Sequence, residues 1–386
     1  MDDPEIPSFW SHAARFPSAV SLIDEREREW TAGQLLSEVN RISNGLRTLG
    51  VVRGDVVATL LPKCAELVGI SLAVSQIGAY LLTLNPNQAV PELNHILSDS
   101  MPRVLILHAM ARATLPELKR SFSGECVFVG DVEGCLSLEE LVRQCSDAMP
   151  SARSAGALLT YTSGTTGTPK AVLRPLRDIP PEEQYRPRVA WFTSTFSIRA
   201  GAAGVHPCAC PLHNGGPLLF ATYALHIGHT LALLPAWHPR IALRWIQDHH
   251  VTTTFMVPSQ FVSLLKLPPA HRHAYSTASL QRVIHGAAPC PQHIKREMLA
   301  WWGPIIYDCY GATEAPGTVA SPTEWLTYPG TVGRASPPHD HQPSRHTPTL
   351  TPPSPGRIEG PRGPWRVRAG IVSEGPAGSE QLSGTG

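Results

Sequence analysis

The feature that most restricts how this chain can fold is an alternation between residues 31 and 107. Short apolar runs there alternate with segments whose apolar residues recur every three or four positions. Thr31-Ala-Gly-Gln34 has the spacing of a capping box, in which the threonine and glutamine side chains each bond the other residue's backbone N–H. Leu35, Val39, Ile42, Leu46 and Leu49 follow at helical spacing, and Gly50 supplies the stop. Asp55–Leu61 then reads as a buried strand and Glu66–Ile77 as a helix. Tyr80–Leu84 reads as a strand, Glu92–Leu97 as a helix and Arg103–Leu107 as a strand. Continuously apolar strands separated by helices predict a mostly parallel sheet covered on both faces, an α/β fold.

The pattern resumes after residue 205. Thr230–Leu234, Thr252–Val257, Leu280–His285 and Ile305–Tyr310 read as strands. Pro239–His250, Pro258–Leu267 and Pro291–Trp302 read as helices, each opening on a proline, whose missing N–H costs nothing there. The apolar stretch 215–237 approaches membrane-spanning length, but His226, Gly228, His229 and Pro235 interrupt it. It is expected to be a buried helix followed by a buried strand. Residues 175–188, PLRDIPPEEQYRPR, are expected to form an exposed loop. Residues 337–386 hold ten prolines and eight glycines against six Val, Ile or Leu, too few to offset the entropy of ordering. The expectation is one large domain over 1–336 and a disordered tail over 337–386.

Lys and Arg total 32 against 31 Asp and Glu, so bulk charge gives no footprint for nucleic acid. The N-terminus, MDDPEIPSFW, lacks a basic region followed by an apolar one, so no signal peptide is read. Eight scattered cysteines then read as reduced thiols of a cytoplasmic protein. Peripheral contact with a membrane stays open.

Residues 161–170, YTSGTTGTPK, follow the apolar run Ala157-Leu158-Leu159. A strand feeding a loop of Gly, Ser and Thr makes a phosphate cradle. Gly164 and Gly167 let backbone N–H groups turn toward one anion, Thr162, Ser163, Thr165, Thr166 and Thr168 add hydroxyls, and Lys170 adds positive charge. This is not the nucleoside-triphosphatase P-loop, which needs four residues between its first glycine and a Gly-Lys pair. Here two residues separate the glycines, and Pro169 stands before Lys170.

YTSGTTGTPK resembles the phosphate-loop signature of the adenylate-forming acyl-CoA synthetases, the AMP-dependent synthetases and ligases. Three further segments resemble that family's signatures, in its order: Pro211-Leu-His-Asn-Gly-Gly216, Gly286-Ala-Ala-Pro289 and Tyr310-Gly-Ala-Thr-Glu314. The run 287–314 is similar to bacterial fatty-acyl-CoA synthetases. The resemblance implies ATP, Mg2+ and coenzyme A, with a carboxylic acid, taken as a fatty acid, as the remaining small-molecule partner. It implies that residues 162–170 hold the outer phosphates of ATP. Gly286, Ala287, Ala288 and Pro289, with Asp308, Cys309, Tyr310 and Gly311, would hold the nucleotide. Thr313 would bond an α-phosphate oxygen, Glu314 would ligate magnesium, and His213 would orient the carboxylate. Glycine and alanine at 286 and 287 suit close approach of a purine to the backbone.

Plainer readings stand beside these. His213 suits a surface turn, Tyr310 a core position, and Glu314 a helix N-terminus. Cys208-Ala-Cys210 with His206 and His213 suggests a metal site, although the spacing is not a standard zinc pattern. Trp191, Phe192, Phe196, Trp237, Phe255 and Phe261 read as acyl-pocket lining or as general core.

The resemblance covers about residues 8–336. Beyond it the family would show a Gly-Asp pair, a hinge arginine and a terminal lysine, none of which follows here. The expectation is therefore a chain truncated, frameshifted or fused near Ser336, impaired in acyl-CoA formation. The alternative is an inactive nucleotide- or acyl-binding fragment.

Overall fold

The computed structural model describes residues 8–163, 169–201, 203–311, 317–335, 348–350 and 367–369. Its largest sheet has seven strands. In spatial order they are Leu136–Ser137, Glu125–Val129, Val104–His108, Val56–Leu60, Tyr80–Thr83, Ala157–Ser163 and Pro169–Val172. All neighbours are parallel except the last pair, an antiparallel hairpin. The chain leaves Val56–Leu60 toward one edge and Val104–His108 toward the other, so a topological switch point lies between these two strands.

Every residue of Val56–Leu60 is buried, as a strand covered on both faces requires. The two-residue period sorts its side chains into two cores. Val57, Leu81, Val104, Ile106 and Val127 pack under the helices Ala32–Thr48 and Ala65–Gln76. Val56, Ala58, Leu60, Leu105, Leu107 and Phe128 pack with Leu93, Ile96 and Leu97 of the helix Val90–Ser100. The Thr31–Gln34 capping box is present, and Gly50 has a φ of 79°.

A four-stranded sheet orders Val205–Cys208, Thr230–Leu233, Val20–Ile23 and Glu29–Thr31. Pro207 sits on its edge strand, where a missing N–H is tolerated. A five-stranded sheet orders Thr253–Met256, Arg282–Gly286, Ile306–Tyr310, Thr318–Ala320 and Arg334–Ala335. The backbone bond from Thr252 N–H to the Val205 carbonyl, 3.0 Å, joins these two sheets.

The stretch 215–237 resolves into the helix Gly215–His226 and the strand Thr230–Leu233. Among the described residues no helix is long and apolar enough to cross a membrane. Two expectations need correction. Residues 181–188 are helical, not loop: Pro181–Phe196 is one helix that buries Gln184, Tyr185, Val189, Phe192 and Phe196 along one stripe. Pro291 caps the helix Gln292–Trp302 from outside it, whereas Pro239 and Pro258 do occupy first helical positions. Within 337–386, Pro348–Leu350 and Val367–Ala369 pair antiparallel, and the remainder of that expected disordered tail lies outside the described residues.

Candidate functional site

Apart from His213, the predicted site residues that are described fall at or just beyond strand ends in two neighbourhoods. The first is the hairpin at the edge of the seven-stranded sheet, where Thr162 stands opposite Lys170 and Ser163 opposite Pro169. Lys170 is exposed and lies on the returning strand rather than in the loop. Tyr161 anchors the outgoing strand by donating its hydroxyl to the Asp99 carboxylate. Gly164, Thr165, Thr166, Gly167 and Thr168 lie outside the described residues.

The second neighbourhood is formed by two paired strands, with Gly286 in register with Cys309. A Cβ on Gly286 would stand 2.5 Å from the Cys309 carbonyl oxygen. The neighbouring backbone therefore requires glycine here, whatever else approaches it. Ala287 has a φ of 66°, an uncommon left-handed conformation for a residue with a side chain. Ala287, Ala288 and Pro289 are exposed beyond the strand end.

Alternation along Ile306–Tyr310 turns Tyr307 and Cys309 into the main core and leaves Asp308 and Tyr310 on the other face. Burial pushes the Cys309 thiol up to about 11, with the Asp308 charge adding to the shift. The Tyr310 side chain is 63% exposed, which rules out the core reading. Gly311 ends the described segment; Ala312, Thr313 and Glu314 lie outside the described residues. The expected magnesium ligand is thus one of these, and the described residues contain no group of three His, Cys, Asp or Glu able to hold a metal ion.

Asp308 is engaged from two sides. Lys295, whose side chain is wholly buried, places Nζ 3.1 Å from Asp308 Oδ2. His285 Nε2 lies 3.4 Å from the same oxygen. Lys295 Nζ also stands 4.9 Å from the centre of the Trp325 ring. Burial lowers the Lys295 pKa and Asp308 opposes that shift. These three residues come from two strands and a helix, so no linear pattern marks Lys295 or His285.

A cleft of about 1140 Å³ opens at the carboxyl ends of the parallel strands. His213 and Ala287 both line it, as do Lys63, His108 and Trp237. Its position beside the switch point is where open α/β sheets bind ligands. Thr83 Oγ1 donates to the His213 carbonyl at 3.0 Å, which ties that turn to the end of Tyr80–Thr83. That strand is the immediate neighbour of Ala157–Ser163, which carries the hairpin. Burial lowers the His213 pKa, so its imidazole is neutral at neutral pH.

Of the six aromatic candidates, Trp237 alone lines the cleft; Phe192, Phe196, Phe255 and Phe261 are buried core. Cys208 and Cys210 are buried free thiols, and burial pushes Cys208 up to about 12. Lys63 was not marked by any motif. The one available signal was a single lysine directly after the apolar strand and Pro62.

The AMP-binding enzyme family model matches residues 9–341. The indoleacetate–CoA ligase of Aromatoleum aromaticum is 27% identical over 336 residues, covering 84% of this chain and 62% of that protein. The fatty acid–[acyl-carrier-protein] ligase ScoC of Streptomyces coeruleorubidus is 27% identical, covering 80% of this chain and 58% of that protein. The chain therefore spans about six-tenths of the length of such relatives. In fold it matches the crystallised N-terminal domain of FACL13 from Mycobacterium tuberculosis, with a TM-score of 0.74 at 22% identity, covering 85% of this chain and 81% of that one.

Proposed function

Since this chain belongs to the AMP-binding enzyme family, we propose that it carries the nucleotide- and acid-binding part of an adenylate-forming acid–CoA ligase. The observation that carries this reading is the single cleft lined by both His213 and Ala287 at the strands' carboxyl ends. One residue belongs to the acid-side segment and the other to the nucleotide-side turn. In the proposed reaction a carboxylate oxygen attacks the α-phosphorus of ATP, the bond to pyrophosphate breaks, and the acyl-adenylate retains that oxygen. A coenzyme A thiol then displaces AMP to give the thioester. Both first-step reactants are anions, so the site must present positive charge and donors where charge develops.

Thr162 and Lys170, opposite one another on the two strands of the hairpin, flank the segment proposed to hold the outer phosphates. Neutral His213 orients the carboxylate without adding charge. Tyr310 offers a ring face to adenine. Asp308, held by Lys295, acts as a positioning residue that fixes the strand end carrying Tyr310. Magnesium would be held by Glu314, and when bound it would neutralise phosphate charge. Fatty acids are the preferred substrate class, from the likeness of residues 287–314 to bacterial fatty-acyl-CoA synthetases; relatives named for indoleacetate and 4-chlorobenzoate keep aryl acids in the panel.

Acid-dependent exchange of pyrophosphate into ATP, across fatty and aryl acids, tests the reading. Exchange with at least one acid is expected, and a folded sample that exchanges with none refutes it. A second reading, nucleotide and acid binding without turnover, stands beside it because the chain spans about six-tenths of the length of its relatives. Saturable magnesium-ATP binding without exchange would select it.

A further inference from the structure

We propose that Lys63 determines specificity at the far end of the acid site, and that the acid this chain prefers carries a second carboxylate. The inference rests on the adenylate-forming reading above and names its substrate class.

Lys63 stands three residues past the end of the Val56–Leu60 strand, beside the switch point. Among the described residues that line the cleft it is the only Lys, Arg, Asp or Glu. Its Nζ donates to the Cys208 carbonyl at 2.9 Å. An ammonium has three N–H groups, so this bond leaves two donors. No described carboxylate lies within ion-pair distance of it, although other lysines and arginines, such as Lys295 and Arg153, have such partners. Burial lowers its pKa, and the nearest groups that oppose this are the Cys208 and Cys210 thiols, themselves shifted upward by burial. A half-buried cation facing a cleft whose described lining holds no Asp or Glu is best matched by an anion in the ligand.

The strand order supplies a ruler. Ala157–Ser163, which carries the phosphate hairpin, neighbours Tyr80–Thr83, and that strand neighbours Val56–Leu60. Adjacent strands lie about 4.8 Å apart, so the end of Val56–Leu60 is roughly 10 Å from the hairpin strand. His213 is tied to the middle strand of the three. Lys63 is thus displaced beyond His213, away from the reacting carboxylate and toward the other end of the acid.

The plainer role is a tether between sheets through the Cys208 carbonyl. Lys63→Gln separates the two roles, since glutamine keeps a donor and loses the charge. The experiment titrates octanoate, 8-hydroxyoctanoate and octanedioate by calorimetry into the full chain and into K63Q, with magnesium-ATP titrated in parallel. Octanedioate is expected to bind the parent chain roughly tenfold more tightly than octanoate, the size of one charge-assisted hydrogen bond. K63Q is expected to abolish that preference while octanoate affinity changes less than twofold. Equal binding of octanoate and octanedioate, or a preference that survives K63Q, overturns the proposal and leaves the ligase reading standing. Equal binding of the hydroxy acid and octanedioate overturns the dicarboxylate assignment. If no acid binds while magnesium-ATP does, the inference falls with the acid half of the reading. If magnesium-ATP also fails to bind, the whole reading falls.

Discussion

Lowering the pH from 7 to 5.5 should destabilise this protein steeply, through histidines buried without charge. Burial pushes His206 and His226 down to about 3 and His229 and His285 down to about 4. Their surroundings fit neutral rings. His206 Nδ1 lies 2.9 Å from Thr253 Oγ1, and His226 Nδ1 accepts the Phe9 N–H at 3.0 Å while its ring stacks on Tyr185. In the folded state these rings stay neutral at pH 5.5, whereas in the unfolded chain they take up protons below their ordinary value. The unfolded state then binds more protons, so stability falls as pH falls through 6.5. With an unfolded value of about 6.5, each ring loses about 1.2 kcal/mol between pH 7 and 5.5, and four together about 5 kcal/mol.

That loss matches the smaller total stabilities of natural domains, about 5 kcal/mol. Glu38, raised by burial, works in the opposite sense, but only near the carboxylate range. Urea unfolding at each pH, followed by circular dichroism, measures the loss directly. His226→Gln supplies the internal control. Whatever it does to stability at pH 7, it should flatten the pH dependence by about 1.2 kcal/mol. A stability that stays level or rises between pH 7 and 5.5 would show that these histidines are not buried uncharged, as would an unchanged slope in H226Q.

Three further outcomes follow from the site. Lys295→Met should cost about 3 kcal/mol, because it leaves the Asp308 carboxylate without its buried partner; the added change Asp308→Asn should restore much of the loss in a thermal melt. Tyr310→Ala should change stability by less than about 0.5 kcal/mol, as the side chain is exposed, yet weaken ATP binding about tenfold by removing a stacking face. Gly286→Ala should destabilise by about 2 kcal/mol, since its Cβ meets the Cys309 carbonyl oxygen, and calorimetric unfolding would show this without any ligand present.

Legibility in the sequence followed the range of the interactions. Thr31, Gln34 and Gly50 act within a single helix, and their roles were readable from spacing alone. The buried strands around Val57 and Leu105 were readable because burial on both faces leaves an unbroken apolar run. The helix Pro181–Phe196 was hidden because Pro180, Pro181 and Pro187 imitate a loop, whereas the apolar stripe that decides the matter lies mostly after them. Two of the motifs, 211–216 and 286–289, supply residues that line the cleft, but no motif marks the groups beside Asp308. Lys295, His285 and Asp308 meet only after a helix and two strands pack together. Gly286 owes its identity to the carbonyl of residue 309, a register that local pattern does not encode. Lys63 is isolated in sequence, and its exposure to the cleft depends on Cys208, far along the chain in another sheet.

One cleft is proposed to bring an acid carboxylate to the α-phosphorus of ATP. Turnover with acid labelled by oxygen-18 in its carboxylate, followed by mass spectrometry of the AMP released, tests it most directly. One labelled oxygen is expected in each AMP, because the oxygen that attacks phosphorus stays with it when the acyl group leaves. AMP without label, or ATP consumed to other products, would contradict it.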